Sequence, residues 1–281
     1  MKIYINNKIV ESEAAAISVF DRGFLYGDGA FESLRTYQGK PFLLEQHLKR
    51  LLGALRQLRI APPLPALEFK KAVLKTLAAN NLKEAYIKII VTRGTAKGHG
   101  LSPKNRQGKS TIIIIVEKLA DQPKKIFVSG WSAIISVISK SDLPTDRLKS
   151  LCYLDNVLAK LEAERGGADE AFLLDKKGNL AEGTVSNIFI VKNNTIYTPP
   201  KSAPILAGVT REYVLKMAKQ SAFMATEKII SIKELYNADE CFITLSSLGI
   251  VPITKIWKKK VGQGICGPIT KRLIDLYGKS T

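Results

Sequence analysis

Apolar residues in the first half of the chain follow two periods, one typical of strands and one typical of helices. Leu48, Leu51 and Leu55 recur at helical spacing, and Pro62 and Pro63 end that pattern. Shorter apolar stretches on either side have the length of buried strands. We therefore predict helices over 44–59 and 67–79, a pair of strands over 2–10 with a turn at Asn6-Asn7, and strands over 31–38, 85–92 and 110–117.

The second half of the chain repeats this alternation. We predict helices over 151–165, 209–220 and 268–277, and strands over 126–138, 170–174, 186–192 and 241–245. Four apolar residues of the helix over 151–165 share one face: Leu154, Val157, Leu158 and Leu161. The order of elements predicts an α/β or α+β protein with an N-terminal lobe over 1–118, a loop over 119–125 and a C-terminal lobe over 126–281.

Composition and charge narrow the function classes. The 281 residues include 43 Lys and Arg against 25 Asp and Glu, and the net charge of +18 favours an anionic partner such as a carboxylated or phosphorylated small molecule. Basic residues are scattered and not interleaved with aromatic ones, so we expect no nucleic-acid binding. No apolar stretch approaches the roughly 20 residues of a membrane helix, and the first residues lack the apolar core of a signal peptide. Three cysteines without metal-ligand spacing complete the expectation of a cytoplasmic protein with no membrane anchor and no metal.

Candidate chemistry is concentrated in the second half. The sequence contains no nucleophile elbow, no P-loop and no zinc or iron ligand spacing. Lys149 lies where a polar loop meets a predicted helix, and its neighbours Leu148 and Leu151 could partly bury its amine. Glu182 lies between two predicted strands, and Gly208-Val209-Thr210 opens a helix whose N–H groups suit a phosphate.

Each of these features has a simpler interpretation when taken alone. A lysine beside leucines is usually on the surface, a glutamate between strands is usually an exposed turn residue, and a threonine at a helix start is usually a cap. Together, a lysine, a carboxylate and a phosphate cradle are what pyridoxal phosphate requires. The lysine binds the aldehyde, the carboxylate keeps the ring nitrogen protonated, and the cradle holds the phosphate.

Motifs along essentially the whole chain resemble the class IV aminotransferases, which are the fold type IV pyridoxal-phosphate enzymes. This family includes branched-chain aminotransferases, D-amino-acid transaminases and aminodeoxychorismate lyases. Several motifs in the family order make the resemblance specific. They are Asp21–Glu32, Gly39–Phe42, His47–Leu51, Leu148–Leu151, Ala168–Ala171, Glu182–Phe189 and Ile205–Arg211.

The resemblance implies a D-amino-acid-aminotransferase-like fold of two α/β lobes with the cofactor between them, and a homodimer in which the partner's first lobe closes each site. It implies that Lys149, in the C-terminal lobe, is the Schiff-base lysine and the acid and base of proton transfer, and that Glu182 pairs with the pyridine nitrogen. The other implied cofactor contacts are Tyr153 to the ring hydroxyl, and Arg50, Val209, Thr210 and Ser246 to the phosphate.

The implied substrate residues are Tyr26, Phe31, Lys88, Lys97, His99 and Ser247. Lys88 stands where many branched-chain enzymes have arginine. Lys97 and His99 would form a weaker version of the Arg-x-His pair with which D-amino-acid transaminases hold the substrate carboxylate, because lysine lacks the planar fork of arginine.

The resemblance leaves the reaction open. Thr244–Pro252 and Phe31–Arg35 are closer to the lyases, whereas residues 83–93 and 168–175 are closer to archaeal-type branched-chain enzymes. We predict a 4-amino-4-deoxychorismate lyase, which releases pyruvate and 4-aminobenzoate for folate synthesis. One alternative is a branched-chain or D-amino-acid transaminase that uses 2-oxoglutarate. The other is a non-catalytic protein that binds an anion or nucleic acid.

Overall fold

The computed structural model describes residues 1–98, 100–120 and 123–281. This part of the chain forms two compact units. The first comprises Met1–Ala120 and Leu148–Cys152, and the second comprises Asp121–Arg147 and Tyr153–Thr281.

The first unit is built on an antiparallel sheet. Its strands are β1 (Lys2–Ile5), β2 (Lys8–Glu11), β3 (Gly29–Tyr37), β4 (Lys40–Pro41), β5 (Ala85–Thr92), β6 (Thr95–Ala96), β7 (Arg106–Gln107) and β8 (Ile112–Lys118). Its helices are α1 (Arg22–Tyr26), α2 (Leu44–Gln57) and α3 (Ala66–Asn80), with 3-10 turns at Ser12–Ala14 and Pro103–Asn105. The main sheet has the order β2-β1-β8-β5-β3-β4, and β6 pairs with β7 as a separate hairpin.

The core of this unit follows from the alternation along its strands. Ile87 and Ile89 of β5 are fully buried, and α2 and α3 contribute Leu51, Leu55 and Phe69 to the same cluster. Full burial of such side chains stabilises the fold by roughly 1.5–3 kcal/mol each. α2 packs on β3 and α3 packs on β8, so the predicted helices over 44–59 and 67–79 are confirmed within two residues at each end.

The Lys149 segment belongs to this first unit, whereas the sequence analysis assigned the lysine to the C-terminal lobe. Backbone pairing with β3 is the reason. The N–H of Phe31 donates to the Lys149 carbonyl at 2.9 Å, and the N–H of Leu151 donates to the Gly29 carbonyl at 3.0 Å. Main-chain bonds from a distant strand therefore fix the position of Lys149.

The second unit is a mixed sheet with helices. Its strands are β9 (Trp131–Ser139), β10 (Glu170–Leu174), β11 (Leu180–Gly183), β12 (Asn187–Lys192), β13 (Thr195–Thr198), β14 (Met224–Glu227), β15 (Glu240–Leu245), β16 (Gly249–Ile256) and β17 (Lys259–Lys260). Its helices are α4 (Ile126–Ser129), α5 (Leu154–Arg165), α6 (Val209–Gln220), α7 (Ile232–Tyr236) and α8 (Pro268–Lys279), with a 3-10 turn at Pro144–Arg147. The strand order is β11-β10-β9-β16-β15-β12-β13-β14, with β17 paired to β16. β9 runs parallel to β10 and β16.

Two predictions for the second unit need correction. The strand predicted over 126–138 begins only at Trp131, because Gly130 adopts a positive φ of 69° and separates it from the short helix α4. The helix predicted to begin near Leu151 begins at Leu154, since the preceding residues pair with β3. α6 has the predicted bounds of 209 and 220.

Three further features of the described residues concern membrane-spanning helices, metal-ligand groups and cysteines. Within the described ranges, no helix is long and apolar enough to cross a membrane. The same residues contain no group of three His, Cys, Asp or Glu side chains placed to hold a metal ion. The three cysteines are free: Cys152 is exposed, Cys241 is buried and Cys266 is half-buried.

Candidate active site

Lys149 lies beside an aromatic ring of its own unit. Its Nζ is 4.4 Å from the centroid of the Phe31 ring, and the Nζ of Lys88 is 5.1 Å from the same centroid. Phe31 and Lys88 lie on the neighbouring strands β3 and β5, and Lys149 comes from the segment paired with β3. Sheet pairing therefore brings together three predicted site residues, which present two amines around one apolar ring.

Glu32, the next residue of β3, is fully buried and ion-paired to α2. Nε and Nη2 of Arg50 donate to its two oxygens at 2.6 and 2.8 Å, and Nδ1 of His47 is 2.7 Å from Oε2. Burial by itself would raise the pKa of Glu32, but the charge and hydrogen bonds of Arg50, with those of His47, lower that pKa to about 2. The fork predicted to clamp a phosphate thus directs two of its donors to a carboxylate.

Burial also decides the charge of His47. It lowers the pKa of the imidazole, and the charges of Arg50 and Lys149 add to this effect, while the bond to Glu32 opposes it. The neutral ring is therefore favoured near pH 7. Lys149 is close enough to this cluster for its charge to be felt there.

A second ion-paired cluster in the first unit surrounds Asp28. Its Oδ2 accepts from Nε of Arg22 at 2.8 Å and from Nε of Arg93 at 2.7 Å. Burial would raise the pKa of Asp28, but the two guanidinium groups outweigh it and lower the pKa. Arg22 also donates to the carbonyls of Gly100 and Leu101, so the cluster anchors the loop that follows β6.

Three predicted substrate residues belong to this region. Lys97 is exposed, and its N–H donates to the Asn105 carbonyl at 2.8 Å. His99 lies outside the described residues. Tyr26, at the end of α1, is exposed, and the Arg22 guanidinium lies 5.1 Å from its ring centroid. The prediction of a carboxylate-binding Lys97–His99 pair stays a prediction.

In the second unit, Glu182 is buried on β11, although the sequence analysis placed it between two predicted strands. Its Oε1 is 2.7 Å from Nζ of Lys140, and its Oε2 accepts the N–H of Leu206 at 2.8 Å. Lys140 is itself buried. The carboxylate is thus held between an ammonium group and a loop amide.

Glu170 fixes the turn that follows Glu182. Oε1 of this buried residue accepts from the N–H and the hydroxyl of Thr184, and Oε2 accepts from the hydroxyl of Ser186 at 2.8 Å. A Cβ on Gly183 would collide with Ser186, so this turn requires glycine. The four residues therefore hold the end of β11 in one conformation.

The start of α6 lacks a side-chain cap. Its N-cap, Gly208, has no side chain to cap the first N–H groups, and a Cβ there would collide with Asn187. The hydroxyl oxygens of Thr210 and Ser246 lie 3.3 Å apart, so the late strand β15 ends beside the first turn of α6. Leu206, which contacts Glu182, precedes Gly208 by two residues, and one loop therefore connects the carboxylate to this helix start.

The structure groups the predicted residues by unit. Lys149, Phe31 and Lys88 are close together in the first, and Thr210 with Ser246 in the second. Val209 is buried in the first turn of α6, and Tyr153 and Ser247 are half-buried. The sequence analysis gave no role to Lys140 or Glu170, nor to Glu32 and His47 as individual residues. The burial of Glu32 could have been suspected, because a glutamate stands there within an alternating strand. Lys140 stands in a predicted polar loop, where nothing in the sequence indicates burial.

The protein-family model described as amino-transferase class IV matches residues 29–256, which is most of the chain.

Proteins similar to this chain are assigned different activities. A Methanocaldococcus jannaschii protein with a provisional assignment as branched-chain-amino-acid aminotransferase is 45% identical over 99% of this chain and 95% of its own length. The aminodeoxychorismate lyase of Bacillus subtilis is 34% identical over 99% and 94%. Among solved structures, the T.th. branched-chain amino acid aminotransferase with pyridoxamine 5'-phosphate has a TM-score of 0.93 and 29% identity, with 99% of this chain and 93% of that chain covered.

Proposed function

This chain belongs to the class IV aminotransferases, which are pyridoxal-phosphate enzymes, and on that premise we propose that it transfers the amino group of a branched-chain amino acid to 2-oxoglutarate. The observation that carries this choice is the similarity to the Methanocaldococcus jannaschii relative, which is greater than that to the Bacillus subtilis lyase. The sequence analysis preferred the lyase. The non-catalytic alternative is set aside, because the family consists of enzymes.

The residues of the second unit fit the cofactor. The glycine N-cap of α6 leaves backbone N–H groups for a phosphate, and the hydroxyls of Thr210 and Ser246 lie together at that turn. Glu182 is a buried carboxylate tied to the same loop, as required of a partner for a protonated ring nitrogen. We assign the phosphate to Val209, Thr210 and Ser246, the ring nitrogen to Glu182 and the ring hydroxyl to Tyr153.

Lys149 would bind the cofactor aldehyde and move the proton at the α-carbon of the substrate. Bound pyridoxal phosphate supplies an electron sink for that carbon. The main-chain bonds of Lys149 to β3 fix its Cα, so only the side chain has to move between its two tasks. Proton transfer by such a positioned amine is typical general acid and base catalysis.

Lys88 and Phe31 would receive the substrate. A lysine ammonium binds a carboxylate as a point charge, and the ring of Phe31 offers an apolar surface beside it. Amino acids and 4-amino-4-deoxychorismate both carry a carboxylate, so the assignment of Lys88 and Phe31 is the same for a transaminase and for a lyase. Tyr26, Lys97, His99 and Ser247 remain the other proposed substrate residues.

The guanidinium fork of Arg50 is engaged by Glu32. A guanidinium group has five N–H donors, so one side chain can bond to more than one acceptor. We keep the proposal that Arg50 also contributes to phosphate binding. Glu32 and His47 would then orient the guanidinium plane.

The reaction is tested with purified holoenzyme. We expect L-leucine to convert the cofactor to its amine form, and 2-oxoglutarate to restore the aldehyde form with release of glutamate. D-alanine in place of L-leucine tests the D-amino-acid alternative. Conversion by D-alanine alone, or by neither amino acid, would overturn the proposed substrate class.

The second candidate is the aminodeoxychorismate lyase, and a specific observation favours it. The Thr244–Pro252 stretch, which covers the end of β15, the turn with Ser246 and Ser247 and the start of β16, is closer to the lyase pattern. Incubation with 4-amino-4-deoxychorismate and detection of 4-aminobenzoate tests it. Rapid release of 4-aminobenzoate without conversion by L-leucine would favour the lyase and place the chain in folate synthesis.

The catalytic lysine is tested by substitution. We expect Lys149→Ala to reduce turnover by at least about 10³-fold, because it removes both the covalent attachment and the base. Borohydride should fix the cofactor to Lys149 of the unmodified protein, as peptide mapping would show. Lys192→Ala, which removes an exposed lysine paired with Asp239, is the matched control and should retain full activity. Attachment at a different lysine would contradict the assignment.

We also propose a homodimer, since each unit leaves an apolar strip exposed. The α1 strip consists of Val19, Phe20, Phe24 and Leu25, and the α5 strip of Leu154, Val157, Leu158 and Leu161. On α5 the buried residues are the small Ala159 and Ala163, so the large side chains face outward. A second copy of the chain would cover these strips.

Light scattering tests the homodimer. The expected mass is twice 30.9 kDa. The double variant Val157→Asp, Leu161→Asp should reduce it to that of one chain, whereas Val137→Asp, at an exposed valine on β9, should not. A monomeric wild-type protein would contradict the proposal.

A further inference from the structure

A buried lysine outside the predicted site holds Glu182. Lys140 follows β9 directly, and its N–H donates to the Leu174 carbonyl at 2.8 Å, which fixes its backbone against the end of β10. From there its Nζ reaches Oε1 of Glu182 at 2.7 Å, with 10% of the lysine side chain and 7% of the glutamate side chain exposed. Because β10 lies between β9 and β11, the ion pair crosses one strand of the sheet.

The surroundings of the Lys140–Glu182 pair indicate a functional role. Lysine is seldom buried, because its ammonium group loses hydration that a single partner only partly replaces. Here the carboxylate has a partner at each oxygen, Lys140 at Oε1 and the N–H of Leu206 at Oε2. Removal of the ammonium would leave this buried carboxylate without the positive charge at Oε1. Such a group favours uptake of a proton.

We propose that Lys140 is a positioning residue for the cofactor, which keeps the Glu182 carboxylate ionised and oriented to receive the N–H of the pyridine ring. This inference rests on the proposed function, since it requires Glu182 to contact the ring nitrogen. Lys140 touches neither cofactor nor substrate in this proposal and acts through Glu182. A point charge on a flexible stem suits the task, because it supports the negative charge without occupying the carboxylate in a bidentate fork.

The test measures cofactor binding to the apoprotein. Lys140→Met is titrated with pyridoxal phosphate and with an analogue in which the ring nitrogen is replaced by carbon. We expect the Kd for pyridoxal phosphate to rise by about tenfold, the typical effect of losing one charge-assisted hydrogen bond. The Kd for the analogue should not change, because the analogue has no ring N–H for Glu182 to receive. Lys140→Arg, which retains the positive charge, should recover most of the affinity.

A double-variant comparison separates positioning from a general structural effect. In a Glu182→Gln background, Lys140→Met should cause no further loss of pyridoxal phosphate affinity, because the group through which Lys140 acts is already gone. Equal weakening of both ligands, or an unchanged Kd in the single variant, would overturn the proposal. Lys192→Met, at an exposed ion pair of the same unit, is the matched control and should leave both Kd values unchanged.

Thermal unfolding of the variants and titration of the wild-type apoprotein serve as two further controls. Thermal unfolding of the apoproteins shows whether Lys140→Met folds, and if it does not, Lys140→Gln takes its place in the same titrations. If the wild-type apoprotein itself binds no pyridoxal phosphate, the proposed function fails. If the wild type binds and the variants match it, only the inference about Lys140 fails.

Discussion

Glu32 and Glu182 are buried carboxylates that each pair with a cation, but the two units hold them differently. Glu32 lies on β3, inside its sheet, and receives two bonds from the planar fork of Arg50 and one from His47. Glu182 lies on β11, at one end of its sheet, and is held by the ammonium of Lys140 and a loop amide.

This difference separates a structural carboxylate from one suited to a ligand. A bidentate fork fixes the plane of a carboxylate and locks strand to helix. A point charge and an amide from a loop keep a carboxylate charged, and that loop also leads to the uncapped start of α6. We infer that loss of Glu32 affects mainly stability, and that loss of Glu182 affects mainly chemistry.

The largest expected effect is that of Glu182→Gln on turnover. The amide keeps the shape of the side chain but removes the charge that, in the proposed function, holds the ring nitrogen protonated, so we expect kcat to fall by about 10³-fold, the upper range for one electrostatic group. Steady-state kinetics with saturating cofactor measures this. Near-normal kcat in this variant would contradict the role of Glu182 and, with it, the contrast between the two carboxylates.

The contrast also shows what the sequence could predict. Helical spacing predicted α2 and α6 well, because the periodicity of an apolar face is a local property. The motif containing Glu182 marked it as a candidate partner of the ring nitrogen, which stays a prediction, and its burial on a strand became visible only in the fold. Lys140 lay in a predicted polar loop, and its burial depends on Glu182, which is far along the chain. The apolar face of α5 was predicted as well, but periodicity does not say whether the same chain covers it.

The next largest effect is that of Glu32→Gln on stability. Removing one charge of a buried pair leaves Arg50 without its counter-charge, and we expect a loss of about 3 kcal/mol in the free energy of unfolding at pH 7. Denaturant unfolding of the apoprotein measures it. The matched control is Glu45→Gln, whose partner Lys70 lies on the surface and whose loss should cost less than about 1 kcal/mol.

The pH dependence of stability provides an independent check on Glu32. Its pKa is about 2 in the folded protein against an ordinary 4.5, so below pH 4.5 the unfolded chain binds more protons than the folded one. The contribution of Glu32 is therefore complete above pH 4.5 and is lost as the pH falls toward 2. Glu32→Gln should lack this part of the acid-induced loss. An identical pH slope in variant and wild type would show that Glu32 is not held as an anion.

The smallest expected effect is that of exchanging the two kinds of cation. Arg50→Lys keeps the charge beside Glu32 but replaces two parallel N–H bonds with one point contact, so we expect a stability loss of about 1 kcal/mol in the apoprotein. Lys140→Arg should cost less in the same measurement, because Lys140 contacts one oxygen of the Glu182 carboxylate and does not bridge both. Comparing apoproteins removes any effect of Arg50 on phosphate binding. If Lys140→Arg proved the more destabilising of the two, the distinction between a locked and a supported carboxylate would not hold.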